Sequence, residues 1–178
     1  MSRHAAFLRG VNLGGRRVKM ARLRGLFEGL GLEGVASHGA SGNVVFDHPG
    51  TGLRELEAEI EAHLEEVLGW AVDTFVRSFD DLRRVAGHEA VAAAREDGVT
   101  PHAIFLRREA TPEVVEALEE VAVPEDRFEV LGREVLRLRR GGMADAPVSP
   151  RDLEAALGPE HTSRKLTTVE RVLERFGE

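Results

Sequence analysis

The chain has 178 residues, 42% of them hydrophobic and 31% charged, with a net charge of −7 and no cysteine. That length builds one large domain or two small ones sharing a core, and the apolar content without long polar tracts marks an ordered globular protein. Lack of cysteine excludes a disulfide framework, a thiolate nucleophile and a Cys-based metal site, and no apolar run is long enough to cross a bilayer, so the expected setting is the cytoplasm with no membrane anchor.

His4 to Arg9 reads as a short apolar strand that stops at a glycine-flanked turn, Arg9-Gly10-Val11-Asn12-Leu13-Gly14-Gly15. From Lys19 to Leu30, residues Met20, Leu23, Leu26, Phe27 and Leu30 recur at helical spacing, and Gly31 is the stop. Val35 to His38 and Val44 to Asp47 are strands around the turn Ser41-Gly42-Asn43. Leu53, Leu56, Ile60, Leu64 and Val67 give a second amphipathic helix, and the acidic run Glu55 to Glu66 reads as its solvated face. Asp73 to Arg77 closes the unit as a fourth strand. This order is the ferredoxin-like βαββαβ pattern, an antiparallel sheet with both helices on one face because each helix has one apolar stripe to bury.

In the second half, Ser78 with Asp81 is a capping-box variant opening a helix through about Ala94. Ala103 to Leu106 is a strand, and Thr111-Pro112-Glu113 signals the start of a helix to Ala122. Phe128–Leu131 and Val135–Leu138 flank Gly132-Arg133-Glu134 as a hairpin. Ser149-Pro150 opens a helix ending near Gly158, and Thr167 with Glu170 forms a capping box for the last one. The order suggests a second ferredoxin-like unit, although no repeat of the residues stands out. The expected fold class is therefore α+β, with a ferredoxin-like unit over residues 1–78 carrying both Gly/Asn turns. A second, related α+β unit with C-terminal helices follows over residues 79–178.

Asn12 and Asn43 are the only asparagines, and glutamine is absent. Amides kept against such a bias, in two glycine turns, point to work that needs a neutral donor and acceptor, or a residue that tolerates positive φ. Charge is also segregated. Residues 1–24 hold Arg3, Arg9, Arg16, Arg17, Lys19, Arg22 and Arg24 without a single acid, whereas residues 25–78 hold two basic and ten acidic residues. An anionic ligand responds to that local field rather than to the net charge.

Gly10 and Gly15 have the spacing of a phosphate-loop pair, but Arg16-Arg17 replaces the Lys-Ser/Thr that such a loop requires. Gly39-Ala40-Ser41-Gly42 approaches a nucleophile elbow, yet Asn43 takes the final glycine position and the context reads strand-turn-strand. The seven histidines lack metal-ligand spacing, so no metal and no cofactor are expected. Tyrosine is absent, Trp70 stands alone and no basic-Gly-aromatic strand signature occurs, which argues against nucleic acid.

Leu8-Arg9-Gly10-Val11-Asn12-Leu13-Gly14-Gly15, Lys19-Met20 with Leu23-Arg24, and Ser41-Gly42-Asn43-Val44-Val45-Phe46 resemble the signature of a bacterial family known only as a domain of unknown function. Its typical wording is L-R-G-I-N-V-G-G, M-x-x-L-R and T-Y-I-Q-S-G-N-V-V-F, with T-x-R-N-W-x-T-V near the C-terminus. Thr162-Ser163-Arg164-Lys165-Leu166-Thr167-Thr168-Val169 matches the last, with Lys165-Leu166 in place of Asn-Trp. His38, Gly39 and Ala40 depart from Tyr, Ile and Gln. The resemblance implies a small cytoplasmic α+β protein built on ferredoxin-like units, and it brings no reaction.

These observations lead to a binding module for a small phosphate- or carboxylate-bearing ligand, such as a nucleotide. Arg9, Arg16, Arg17 and Lys19 would supply charge, Asn12, Ser41 and Asn43 orienting hydrogen bonds, and Arg164 a further anion contact. The alternative is a structural or protein-interaction module acting through self-association as a homodimer. No nucleophile–base pair is legible, so the sequence assigns no catalytic residue.

Overall fold

Strand alternation and helical periodicity in the first unit converge on one buried layer. In the computed structural model, which describes residues 1–141 and 146–177, this unit runs β1 (Ser2–Leu8), α1 (Met20–Gly29), β2 (Glu33–Ser37), β3 (Asn43–His48), α2 (Leu53–Leu68) and β4 (Thr74–Ser78). The strands form one antiparallel sheet in the order β2-β3-β1-β4. Ala6, Leu8, Val44, Phe46 and Val76 face Leu23 and Phe27 of α1 and Ile60 and Leu64 of α2. The helices therefore share one face, as their single apolar stripes require.

The acidic face of α2 is only partly solvated, which corrects the sequence expectation. Glu57 is 1% exposed and its Oε1 accepts from the Val76 amide at 2.8 Å, while Glu61 Oε1 accepts from the Thr74 amide at 2.8 Å. β4 is an edge strand, and these carboxylates occupy the outward amides that a foreign strand would otherwise pair with. Arg77, with no exposed surface, lies 3.9 Å from Glu57 and donates to the Val76 carbonyl at 2.8 Å.

The expected helix from Ser78 to Ala94 is two helices, α3 (Phe79–Ala86) and α4 (Glu89–Glu96). The Ser78–Asp81 box does form, with Ser78 Oγ accepting from the Asp81 amide at 3.1 Å and Asp81 Oδ2 accepting from the Ser78 amide at 3.2 Å. The break falls at Gly87-His88. His88 is extended (φ −64°, ψ 138°) and its Nδ1 accepts from the Ala90 amide at 3.2 Å, so it caps a fresh helix instead of continuing the old one.

The remaining elements are β5 (Thr100–Leu106), α5 (Pro112–Val121), β6 (Asp126–Val130), β7 (Glu134–Arg139), α6 (Pro150–Leu157), β8 (His161–Lys165) and α7 (Leu166–Phe176). Thr111 and Ser149 cap α5 and α6, each with proline in the first turn, and Gly158 ends α6. Two expectations fail here. Strand β8 was not legible, because His-Thr-Ser-Arg-Lys carries no apolar alternation and becomes a strand only by pairing with β5. Thr167 is not a cap, because α7 already begins at Leu166, and Glu170 instead receives both guanidinium nitrogens of Arg95 at 2.8 and 2.9 Å.

With β8 in place, the second sheet has the order β6-β7-β5-β8, the topology of the first. Contacts divide the chain into two compact units, one of Met1–Leu82 with Val172–Glu178 and one of Arg83–Arg171. The shared topology also uncovers a residue repeat. β1 with its following residue reads His4-Ala5-Ala6-Phe7-Leu8-Arg9, and β5 reads His102-Ala103-Ile104-Phe105-Leu106-Arg107. Registers agree: Phe7 pairs with Asn43 and Ala5 with Arg77, just as Phe105 pairs with Glu134 and Ala103 with Arg164. Leu8 donates to Gly42 O and Leu106 to Arg133 O, again equivalent positions, at 2.9 and 2.8 Å. Unequal connections hide this repeat from any search for a fixed period.

Candidate functional site

The unequal connections are where the first unit departs from the frame it shares with the second. Residues 9–19 join β1 to α1, whereas residues 107–111 suffice between β5 and α5. Residues 38–42 turn β2 into β3, whereas 131–133 turn β6 into β7.

These two longer connections interlock. Asn12 Oδ1 accepts from the Val18 amide at 2.7 Å, and Asn12 Nδ2 donates both to Val18 O at 3.2 Å and to Ala40 O at 2.7 Å. The side chain thus closes residues 12–18 into a loop and fastens that loop to the second turn. An aspartate has no proton to donate, and a serine cannot reach three partners, so the amide is needed here. Val11, 1% exposed, packs on Gly42. A Cβ on Gly42 would lie 2.8 Å from Val11 Cγ1 and 3.0 Å from Leu8 Cβ, and its φ is +82°.

Asn43 holds the second turn from within. It is 1% exposed, and its Nδ2 donates to His38 O at 2.8 Å and to Ser41 Oγ at 3.2 Å. Among the described residues only glycines have positive φ, including Gly10, Gly14, Gly15, Gly39 and Gly42. The asparagines are therefore kept for side-chain bonding and not for left-handed backbone. The turn lies between β2 and β3, so Ser41 lacks the strand-to-helix setting of a nucleophile elbow.

The loop presents its charges outward. Leu13, Gly14, Gly15, Arg16, Arg17 and Lys19 are all exposed, with Leu13 at 70%. The Arg16 guanidinium stacks 5.7 Å from the Trp70 ring centre, a geometry that steadies a long side chain without neutralising it. The Arg9 amide donates to Asp73 O at 2.9 Å, extending the β1–β4 ladder. Lys19 is the N-cap of α1 but makes no side-chain cap bond, and the first turn of that helix has no acidic residue. Its leading amides therefore keep their positive end uncompensated by side chains.

Arg9, Asn12, Arg16, Arg17, Lys19, Ser41 and Asn43 all belong to the first unit. Arg164 belongs to the second. It is half-buried on β8, and its Nη1 donates to Thr162 Oγ1 and Ser163 O, each at 2.9 Å. Burial lowers its pKa to about 10. It occupies the register position that Arg77 holds in the first unit, which accounts for an arginine there in terms of the sheet. The next residues follow suit. Leu166, standing where the resembled family has Trp, has no exposed surface and begins α7, as the 3%-exposed Phe79 begins α3. The departure from Trp therefore falls at a core position of this chain.

Sequence reasoning missed the buried pair Arg137–Asp126, in which Arg137 Nε donates to Asp126 Oδ1 at 2.8 Å and Nη2 donates to Asp126 Oδ2. Only the pairing of β6 with β7 brings them together. Among the described residues no group of three or more His, Asp or Glu side chains could hold a metal ion, and no helix is long and apolar enough to cross a membrane.

Comparison with known proteins adds the family and the fold. The family described as "Protein of unknown function (DUF1697)" matches residues 1–136, which takes in both Gly/Asn turns and stops short of Thr162–Val169. A conserved bacterial protein of known structure, SP0830 from Streptococcus pneumoniae, is 20% identical over 97% of either chain and superposes with a TM-score of 0.73, which is likeness of fold. No curated protein matches the chain.

Proposed function

The chain belongs to the family of proteins of unknown function DUF1697, and from that premise we propose a role read from its own residues: binding of a small phosphate- or carboxylate-bearing ligand on the loop of residues 9–19. One observation carries the proposal. The loop is an addition to a frame that closes without it in the second unit, and it is held in one shape by Asn12 while Arg16, Arg17 and Lys19 stay exposed. A charged loop fixed beforehand loses little entropy on binding, so modest contacts yield useful affinity. The acid-free stretch of residues 1–24 sets the sign of the ligand, and the α1 amides offer donors beside Lys19. Asn12 and Asn43 build the site, and the basic side chains meet the ligand. Action in the cytoplasm belongs to the same proposal.

Titration with inorganic phosphate, nucleoside mono- and triphosphates and citrate tests it. Ligand bound only by the folded chain must raise the unfolding temperature. The expected result is stabilisation by at least one anion, lost in Arg16→Met/Arg17→Met and weakened by salt. No stabilisation by any anion at millimolar concentration overturns it.

A second reading is self-association, favoured by the exposed Leu13 on the basic loop and the exposed Val67 on the acidic helix α2. A dimer that dissociates as salt rises, without response to small anions, selects this reading instead.

A further inference from the structure

Trp70 is the single tryptophan of a chain without tyrosine, and it stands beside the loop of residues 9–19. α2 ends in the left-handed Gly69, whose amide donates to Glu65 O at 2.9 Å, and the next residue, Trp70, packs against the core of the first unit. The equivalent helix of the second unit, α6, also ends in a glycine of positive φ, Gly158, but Pro159 follows it. The long basic loop and the indole thus occur together in the first unit, and both are missing from these positions of the second.

The ring is half-buried. Its Nε1 is buried and meets no acceptor among the described residues, so the indole offers a π face and not a hydrogen bond. Over that face, 5.7 Å from the ring centre, lies the guanidinium of the exposed Arg16. Among the described residues no carboxylate pairs with Arg16, Arg17 or Lys19. A planar ring in contact with both the indole and the guanidinium needs them about 7 Å apart, twice the contact distance of carbon atoms. The guanidinium therefore has to move outward by only about 1–2 Å, into solvent. A base stacked on an aromatic side chain gains more than the exposed cation–π contact it interrupts, and it restores that contact on its own outer face. Arg17 and Lys19 follow Arg16 within three residues, at most about 11 Å of chain, so a phosphate joined to the stacked base falls within their range.

We infer, on the premise that this loop binds an anion, that its ligand is a mononucleotide whose base lies between Trp70 and Arg16 and whose phosphate meets Arg17 and Lys19. Trp70 and Arg16 then select the base as a flat ring, and the rest of the loop selects the charge.

Isothermal calorimetry of the full chain with adenosine monophosphate and ribose 5-phosphate separates the base from the phosphate. Adenosine monophosphate is expected to bind at least about fivefold more tightly than ribose 5-phosphate. Because Trp70 is the only tryptophan, its fluorescence, excited where nucleobases do not absorb, should change with adenosine monophosphate and not with ribose 5-phosphate. Trp70→Leu keeps an apolar group on the core and should reduce adenosine monophosphate to the affinity of ribose 5-phosphate. Trp70→Phe, which keeps a smaller ring, should lose part of the difference and decides the matter if Trp70→Leu does not fold. Arg17→Met should weaken both ligands alike. Equal affinities in the unaltered chain overturn the stacked nucleotide while leaving the anion loop in place. A preference for adenosine monophosphate that survives undiminished in both Trp70 variants overturns it as well. Binding of neither ligand removes the loop reading together with this one.

Discussion

Asn12 in the first glycine-flanked turn donates to the Ala40 carbonyl in the second at 2.7 Å, while its own oxygen accepts from the Val18 amide at 2.7 Å. One side chain therefore fixes both the shape of a loop and its position against its neighbour. Asn12→Ala breaks three bonds at a partly buried place and should destabilise the protein by about 1–3 kcal/mol. Asn12→Asp keeps one acceptor but turns a carboxylate toward two carbonyls, and should be at least as damaging. Urea unfolding measures the loss. Hydrogen exchange at Val18 should accelerate in both variants, and an unchanged rate there means the amide does not close the loop.

Gly42 tests the contact between the turns. Gly42→Ala places a methyl 2.8 Å from Val11 Cγ1 on a residue with φ of +82°, and should cost about 1–3 kcal/mol through overpacking and backbone strain. In a Val11→Ala background the clash is relieved and only the strain persists. A double-mutant cycle should therefore show coupling of about 1 kcal/mol, whereas strict additivity means the two turns do not pack as described.

The second unit carries a comparable test in Asp126, which has no exposed surface and accepts from Arg137 and from the Val148 amide. Asp126→Ala leaves a buried guanidinium without its carboxylate and should destabilise by about 3–5 kcal/mol. The double variant Asp126→Leu/Arg137→Leu removes both charges and should be distinctly more stable than the single one. Thermal unfolding of the two variants decides it.

His102 supplies a pH dependence. Burial, then the nearby Arg139, Arg137 and Lys165, lower its pKa below the ordinary value of 6.5, with a weaker opposing effect from the Thr100 carbonyl. The folded state thus resists protonation that the unfolded chain accepts. Stability is unaffected well above pH 6.5, falls as pH drops through that value, and levels off below the folded pKa. His48 is lowered in the same direction by burial and by His4. His102→Gln should flatten the slope of unfolding free energy between neutral and mildly acidic pH, and an unchanged slope would mean His102 titrates alike in both states.

Local patterns explain which parts of the fold could be read early. Thr111-Pro112, Ser149-Pro150 and Ser78 with Asp81 cap helices by bonds within three residues, so their sequence signals survive in the structure. The stripe Leu56, Ile60, Leu64 buries one face of α2 as its spacing demands. Gly87-His88 escaped notice because a histidine cap is a rare use of that side chain. Strand β8 escaped because its residues have no periodicity of their own, and without it the second unit could not be seen to repeat the first.

The candidate site divides along the same line. By itself the chain determined that two glycine turns carry its only asparagines and that its first 24 residues carry positive charge without acid. Composition and short-range spacing suffice for that, because they are properties of neighbours along the chain. Tertiary structure alone decided what the asparagines do, since the partner of Asn12 at Ala40 is 28 residues away. It also turned Glu57 and Glu61 from solvated acids into acceptors for an edge strand, and set Arg164 at the position of Arg77. Those outcomes depend on register between distant strands, where a shift of one residue would send each side chain to the other face.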